Sequence, residues 1–396
     1  MRPATVAIAL LAAGQAACAA QPGQVISRPN DRPDVPARPA RQEVLARVVV
    51  TPREAASVDE LLDRASRRLQ AGEAAEAARA FDRLFALDPD GPLAAQALLQ
   101  SATAHERAGD REASARRLEQ LAERFPRHAL AREALVRTVR LRAFLEQWTR
   151  AGQAASLLLM RYADLRPFES VVALSGRALA LVAAGDVDRA LYYVEQARTV
   201  VEDHGLDAAG RLPRDLAQLY FALGEIRRIR AERIQFVPLP GDFPAELERR
   251  CQLLLDAQSA YSDTMRAYDA HWSAMAGYRV GQLYQKLHEE LMRLPVPATA
   301  DTPERRQLFE GAMRLRYAVL LSKALAMMEH TLAMAARTGE RSEWVWRTEQ
   351  AKRAIQRAMQ AEQEAIDRLP YTREQLRAAL DRLARQKAAA AGRMGE

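Results

Sequence analysis

The chain has 396 residues, 58 Lys and Arg against 51 Asp and Glu for a formal charge of +7, and 49% hydrophobic residues. That much apolar material excludes a disordered or collagenous chain, and a count of 2 cysteines excludes a disulfide framework or a four-cysteine metal site. Length alone gives roughly two to three domains of about 150 residues each, unless the chain is a repeat array.

The first residues, MRPATVAIALLAAGQAACAAQPG, place Arg2 ahead of an apolar stretch over 4–13 and then small residues. This is too short for a membrane span and has the form of a secretory signal peptide, residues 1–18. Cys18, after Ala16 and Ala17, resembles the end of a bacterial lipobox, with Gln15 where an aliphatic residue is usual. The resemblance implies that Cys18 is lipidated. With Ala19 rather than Asp after it, it also implies an anchor in the outer membrane, facing the periplasm. A cut by the ordinary signal peptidase after Ala19 or Ala20 is the rival reading. Either leaves Cys251, in LERRCQLLL, as the one thiol of the mature chain, and its apolar helical setting reads as a small core residue rather than a nucleophile.

Residues 19–57 read as a tether. Pro22, Pro29, Pro33, Pro36, Pro39 and Pro52 remove backbone donors and fix φ, and Arg28, Arg32, Arg38 and Arg41 lie between them. From 58 onward Ala, Leu, Arg, Glu and Gln dominate, and the pattern predicts helices to the end. LLDRASRRLQAGEAAEAARAFDRLFALDP is followed by ALLQSATAHERAGDREASARRLEQLAERFP, with Gly72 and Gly109 spaced 37 apart, as are Pro89 and Pro126. Each unit is helix, glycine turn, helix, proline.

At these residues the chain resembles the tetratricopeptide repeat (TPR) family. The first unit supplies Leu61, Ala65, Gly72, Ala77, Phe81 and Pro89, the second Leu98, Ala102, Gly109, Ser114, Leu118 and Pro126. A third matches at Leu174, Ala178, Leu181, Gly185, Ala190, Val194 and Ala197, with Glu202 where proline is expected. Residues 130–167 form a degenerate unit around Gly152, Ala155, Leu159 and Pro167, with a shortened second helix. Arg68 and His105 stand where the family usually carries a large aromatic. The resemblance implies an all-α, TPR-like helix-turn-helix solenoid over 58–235 with a C-terminal helical extension over 244–391. It also implies partner binding on the concave face, at Asp59, Ser66, Gln70, Gln96, Thr103, Glu106 and Arg107.

The stretch 212–234 reads as another helical pair, and FVPLPGDFP as a break. Helices are then expected over 244–268, 270–294, 303–337, 340–368 and 372–390. Leu283, Leu287, Leu291 and Leu294 form a buried seam, and Thr302 is a candidate N-cap ahead of Pro303. The block AVLLSKALAMMEHTLAMAARTGERSEWVWRTEQA resembles C-terminal segments of envelope TPR proteins of gliding bacteria.

Chemistry-bearing motifs do not emerge. His288-Glu289-Glu290 resembles a zincin start, but position 292 is Met292, and phosphate-loop, dinucleotide and nucleophile-elbow patterns are missing. No cofactor, metal or nucleic acid is expected, and the chain reads as a non-enzyme. Met313, Met327, Met328 and Met334 read as core, and one of Trp344 and Trp346 as core with the other an exposed anchor. Residues 111–142 hold nine arginines against four glutamates, so Arg116, Arg117 and their neighbours are a candidate surface for an anionic partner. The reading is an exported scaffold or adaptor holding envelope proteins. The competing readings are a cell-wall enzyme or its regulatory subunit, and a soluble periplasmic ligand-binding protein.

Overall fold

The computed structural model describes residues 52–208, 213–297 and 300–379; the expected signal with Cys18, the expected tether up to 51 and the end of the helix expected over 372–390 lie outside them. Among the described residues the chain is all-α, a TPR-like solenoid of helix-turn-helix pairs. The pairs are α1 (Pro52–Gln70) with α2 (Ala74–Leu87), α3 (Ala94–Arg107) with α4 (Arg111–Arg124), α5 (Leu130–Phe144) with α6 (Trp148–Arg161) and α7 (Pro167–Ala183) with α8 (Val187–Asp203). Then follow α9 (Ala217–Glu232) with α10 (Phe243–Arg266), α11 (Ala270–Met292) with α12 (Pro303–Thr338), and α13 (Glu343–Asp367). Helix α1 begins at Pro52, six residues inside the expected tether, because proline suits a first helical position, where its missing N–H would be unpaired anyway.

The turns repeat one backbone device. Gly72, Gly109 and Gly185 have φ of 84°, 87° and 82°, so the chain reverses there without a Cβ clash. The next N–H returns to the end of the helix just left: Asp110 N to His105 O at 2.8 Å, Asp186 N to Leu181 O at 3.0 Å. Asp110 and Asp186 then cap the second helix, accepting from Ala113 N at 2.9 Å and Arg189 N at 3.2 Å. In the degenerate unit this turn belongs to Glu146, at φ 57°, with Gln147 N reaching Arg142 O at 2.8 Å. Gly152 lies instead inside α6, where a Cβ would come within 2.4 Å of that of Ala180 on α7. Helix α6 has 14 residues, as α2 and α4 do, so the expected shortening is not observed.

Small residues sit where helices touch. Ala65, Ala77, Ala102, Ala178, Ala190 and Ala197 are fully buried, as are Phe81, Leu98, Leu118 and Val194. Contacts two places along the chain join α3 to α5, α5 to α7, α7 to α9, α9 to α11 and α11 to α13, all odd-numbered helices. The odd helices therefore form the inner side of the curve.

Residues 213–232 form one helix after a 3-10 turn, Arg214–Leu216, rather than a pair. Helix α9 finds its partner across the proline break, in α10. Phe236 and Phe243, both buried, pack edge to face at 5.2 Å and staple that loop. The later helices are longer, 36 residues in α12, which Thr302 caps through Arg305 N at 3.3 Å. By length and composition α12 could cross a membrane; in this fold it packs Tyr317, Leu320, Leu321, Ala324 and Met328 inward between α11 and α13. Of the expected seam Leu283, Leu287 and Leu291 are buried, while Leu294 lies past the end of α11 and is half-buried; Cys251 is buried, and burial pushes its thiol up to about 11. Trp344 is buried and Trp346 is 56% exposed.

Candidate partner-binding face

Thr103, Glu106 and Arg107 fall three and four apart on α3 and share a face; Glu133, Arg137, Arg140, Leu141 and Phe144 do the same on α5. Arg111 starts α4, Val172 comes from α7, Arg214, Asp215 and Gln218 from the run into α9, and Asp269 and Trp272 from the start of α11. Together they line a cavity of about 810 Å³. A neighbouring cavity of about 630 Å³ shares Glu133, Arg137 and Arg140 and runs on to Phe168, Glu169 and Leu206. The two form one groove across α5.

The carboxylates of the larger cavity are all engaged. Arg137 donates to Glu106 at 2.8 Å and to Thr103 Oγ1 at 3.0 Å, and lies 3.8 Å from Glu133. Arg140 pairs with Asp215 at 2.8 Å, and Asp269 caps α11 by accepting from Trp272 N at 3.1 Å. The other arginines are engaged less. Arg107 reaches only the Leu69 carbonyl at 3.4 Å, the Arg111 guanidinium lies 4.4 Å over the Phe144 ring, and Arg214 has no hydrogen-bond or ion-pair partner among the described residues. Phe144 in turn stacks on His271 at 3.8 Å. His271 is buried, with Nδ1 3.7 Å from Glu340. Burial pushes its pKa down against the pull of Glu340, Asp269 and Glu146. This stack and the Arg347–Glu146 approach at 3.9 Å bring the α5–α6 turn against α11 and α13, so the superhelix folds back on itself around the cavity.

The arginine-dense stretch is not a free basic surface, and this corrects the expectation of an anionic partner along all of 111–142. Arg116 pairs with Glu112 at 3.3 Å, Arg117 with Asp82 at 2.8 Å, Arg124 with Asp90 at 2.8 Å, and Arg132 with Glu169 and Asp164. Arg142 is fully buried and binds Glu119 at 2.7 Å, Glu112 at 2.8 Å and Gln147. Apart from Arg116, these bridges run from one helix to another helix or, at Asp90 and Asp164, to a loop between units, and most span 30 to 37 residues, close to one repeat. Burial pushes Asp82 up, but hydrogen bonds from Arg117, Ser101 and His105 outweigh it and hold the carboxyl low. Glu169 behaves likewise: burial raises it, and Arg166 and Arg132 bring it to about 2. Sequence counts charge; only the fold shows that the neutralising carboxylates sit one unit away.

Of the residues expected on the concave face, Thr103, Glu106 and Arg107 come together in the large cavity. Asp59 lines a separate cavity of about 220 Å³ beside Leu84 and Pro92. Gln70 and Gln96 are exposed and Ser66 half-buried, outside the cavities named above. Arg116 and Arg117 border another depression, with Asp82 and His105. Glu133, Leu141 and Phe144 carry no expectation because the degenerate unit hides its register, and Arg137 and Arg140 are expected only as part of the arginine-dense stretch, although Arg137 lies 34 residues after Thr103, its hydrogen-bond partner. Asp269 and Trp272 carry no sequence signal for this face; they arrive by the fold-back.

No family model matches the chain, and no curated protein matches it. Among solved structures it is similar to a tetratricopeptide repeat protein from Parabacteroides merdae, at 12% identity and TM-score 0.40, covering 76% of this chain and 99% of that one. It is also similar to the TPR2AB-domain:pHSP90-complex of yeast Sti1, at 14% identity and TM-score 0.24, and to the P58(IPK) TPR domain, at 15% and 0.25. Each of these two covers 78% of this chain and 99% of its own. At these scores the fold assignment rests on the packing of the chain's own helices.

Proposed function

We propose that the chain is a non-catalytic scaffold that holds a partner protein along its inner groove, exported and tethered to the outer membrane through Cys18. The observation that carries the binding reading is the groove itself: a continuous cavity lined mostly by the odd helices, with Arg111 from the start of α4, mixing arginines with Leu141, Phe144, Val172 and Trp272. Its carboxylates are tied to arginines or to a helix end, a binding wall rather than a pair poised to exchange protons. The signal-like start, the cysteine at 18 and the proline-rich 19–57 support the envelope setting. The partner is then an envelope protein, and the tether lets the groove work away from the membrane surface.

The test is photo-crosslinking in intact cells, with the crosslinker at Thr103 in the groove or at Tyr192, which is exposed on α8. A reproducible envelope-protein adduct from Thr103 and none from Tyr192 is expected, and Arg107→Glu/Arg111→Glu abolishes it. If Thr103 yields no adduct, the scaffold reading fails. Labelled palmitate entering the wild type but not Cys18→Ala tests the anchor.

A further inference from the structure

Along the solenoid each helix packs on its near neighbours in the chain, but the α5–α6 turn also touches α11 and α13, past α7 to α10. The Phe144 ring stacks on His271 at 3.8 Å with the planes 23° apart, and Arg347 lies 3.9 Å from Glu146. Arg347 and Glu146 are both partly exposed, so their pair contributes little and the ring stack carries the contact. His271 stands between Asp269 and Trp272, which form part of the wall of the cavity of about 810 Å³, so the stack also fixes where that wall stands.

The stack suits a neutral imidazole. His271 is 5% exposed, and neither ring nitrogen has a hydrogen-bond partner among the described residues. Glu340 Oε1 is 3.7 Å from Nδ1, too far for a hydrogen bond, and it already accepts from Ser342 N at 3.2 Å. The other charged groups around the ring are also engaged. Asp269 caps α11, Glu146 faces Arg347, and the Arg111 guanidinium lies 4.4 Å over the same Phe144 ring. An imidazolium here would be a second cation on that ring, with two N–H donors cut off from water. Burial accordingly outweighs the three carboxylates and pushes the His271 pKa below its ordinary 6.5.

We propose that this contact is an acid-released clasp: neutral His271 holds the superhelix closed around the cavity, and protonated His271 leaves Phe144 for water and lets the α5–α6 turn part from α11 and α13. The clasp concerns the shape of the groove and does not depend on what the groove binds. A released His271 is solvated and takes its proton at the ordinary value, so below pH about 6.5 the open form binds more protons than the closed one. Closure is therefore strongest above that pH and weakens as pH falls, with the open-to-closed ratio rising by at most about tenfold per pH unit for one proton.

The experiment uses the full chain with spin labels on ketone-bearing residues that replace Thr149, on α6 beside the turn, and Gln350, on α13; both positions are exposed. Double electron–electron resonance from pH about 8 to about 5 should show one short distance giving way to a longer one, while a control pair at Gln70 and Thr149, both in the first half, stays fixed. His271→Phe keeps an aromatic stack without a titrating nitrogen and should remain closed throughout. His271→Gln, the substitute if that variant misfolds, should give a mixture that does not change with pH. His288→Gln, which removes the other buried histidine of α11, should leave the acid response intact. Glu340→Gln keeps an acceptor for Ser342 N and removes the charge facing Nδ1, so it should enlarge the response. A Thr149–Gln350 distance that does not change with pH overturns the proposal. So does an acid response that survives in His271→Phe or His271→Gln, one that shrinks in Glu340→Gln, or a control pair that lengthens in step.

Discussion

The two halves of the solenoid are held together differently. From α1 to α8 the helices have 14 to 19 residues, and the apolar core is divided: one cluster runs from Ala65 to Ala104 and a second from Leu98 to Ala173. Bridges such as Arg142 to Glu112, Arg137 to Glu106 and Arg132 to Glu169 fasten one unit to the next. From α9 to α13 the helices have 16 to 36 residues around one cluster, which also takes in the core of α8 and most of that of α7 and reaches back to Ala143. Its main ionic feature is internal. The Glu225 carboxylate is buried between Arg228 at 2.8 Å and Arg279 at 2.9 Å and accepts from Tyr261 OH at 2.6 Å. Burial pushes Glu225 up, and the two arginines outweigh it and keep it ionised. Alanine-rich helices bury little apolar area each, so polar bridges fix how units stack; longer helices bury enough to need fewer. Exposed bridges contribute about 0 to 1 kcal/mol, so those of the first half act on alignment more than on stability, while the buried Arg142 and Glu169 also stabilise it.

The largest test of this contrast is Glu225→Ala. It leaves Arg279 without a carboxylate and Arg228 with Glu232 alone, and should cost about 3 kcal/mol, read as a lower urea midpoint for the transition that exposes Trp272 and Trp344. Arg142→Ala should cost about 2 to 3 kcal/mol, because a fully buried guanidinium and its packing vanish between units two and three. Hydrogen exchange should accelerate in α3–α6 and not in α11–α13. Equal acceleration in both halves would contradict the division drawn here.

Acid should act on the first half through Glu169. Its carboxyl is lowered from 4.5 to about 2, so its contribution is complete above pH about 4.5 and is lost as pH falls toward about 2. The expected loss is about 2 kcal/mol, the exposed Arg166 arm adding little, and Glu169→Gln should flatten that part of the stability–pH curve. The smallest effect has the opposite sign. Glu146→Gly relieves a left-handed residue at φ 57° and should raise stability by about 0.5 kcal/mol, measurable as a small rise in Tm.

Much of this molecule is visible in its residue pattern. Gly72, Gly109 and Gly185 mark turns because only a positive φ closes a hairpin so tightly, and the alanines between them mark close helix contacts. Thr302 ahead of Pro303 marks a helix start, and the spacing of Trp344 and Trp346 sends them to opposite faces. Where a signal is replaced, the pattern misleads: Glu146 does a glycine's work, and Gly152 serves packing instead of turning. The 212–234 stretch misleads in the same way, since the partner of α9 lies beyond a proline-rich loop.

By itself, then, the sequence determined the all-helical class, the helix-turn-helix period and the turns of most units, because these depend on φ, propensity and spacing within some 40 residues. Tertiary structure alone decided which arginines are spent on carboxylates a repeat away and which are left facing the groove. It alone brought Trp272 and Asp269 into the wall of the cavity that Thr103 lines. Charge pairing and cavity shape depend on distances between units, and a residue string carries no distances beyond its own helix.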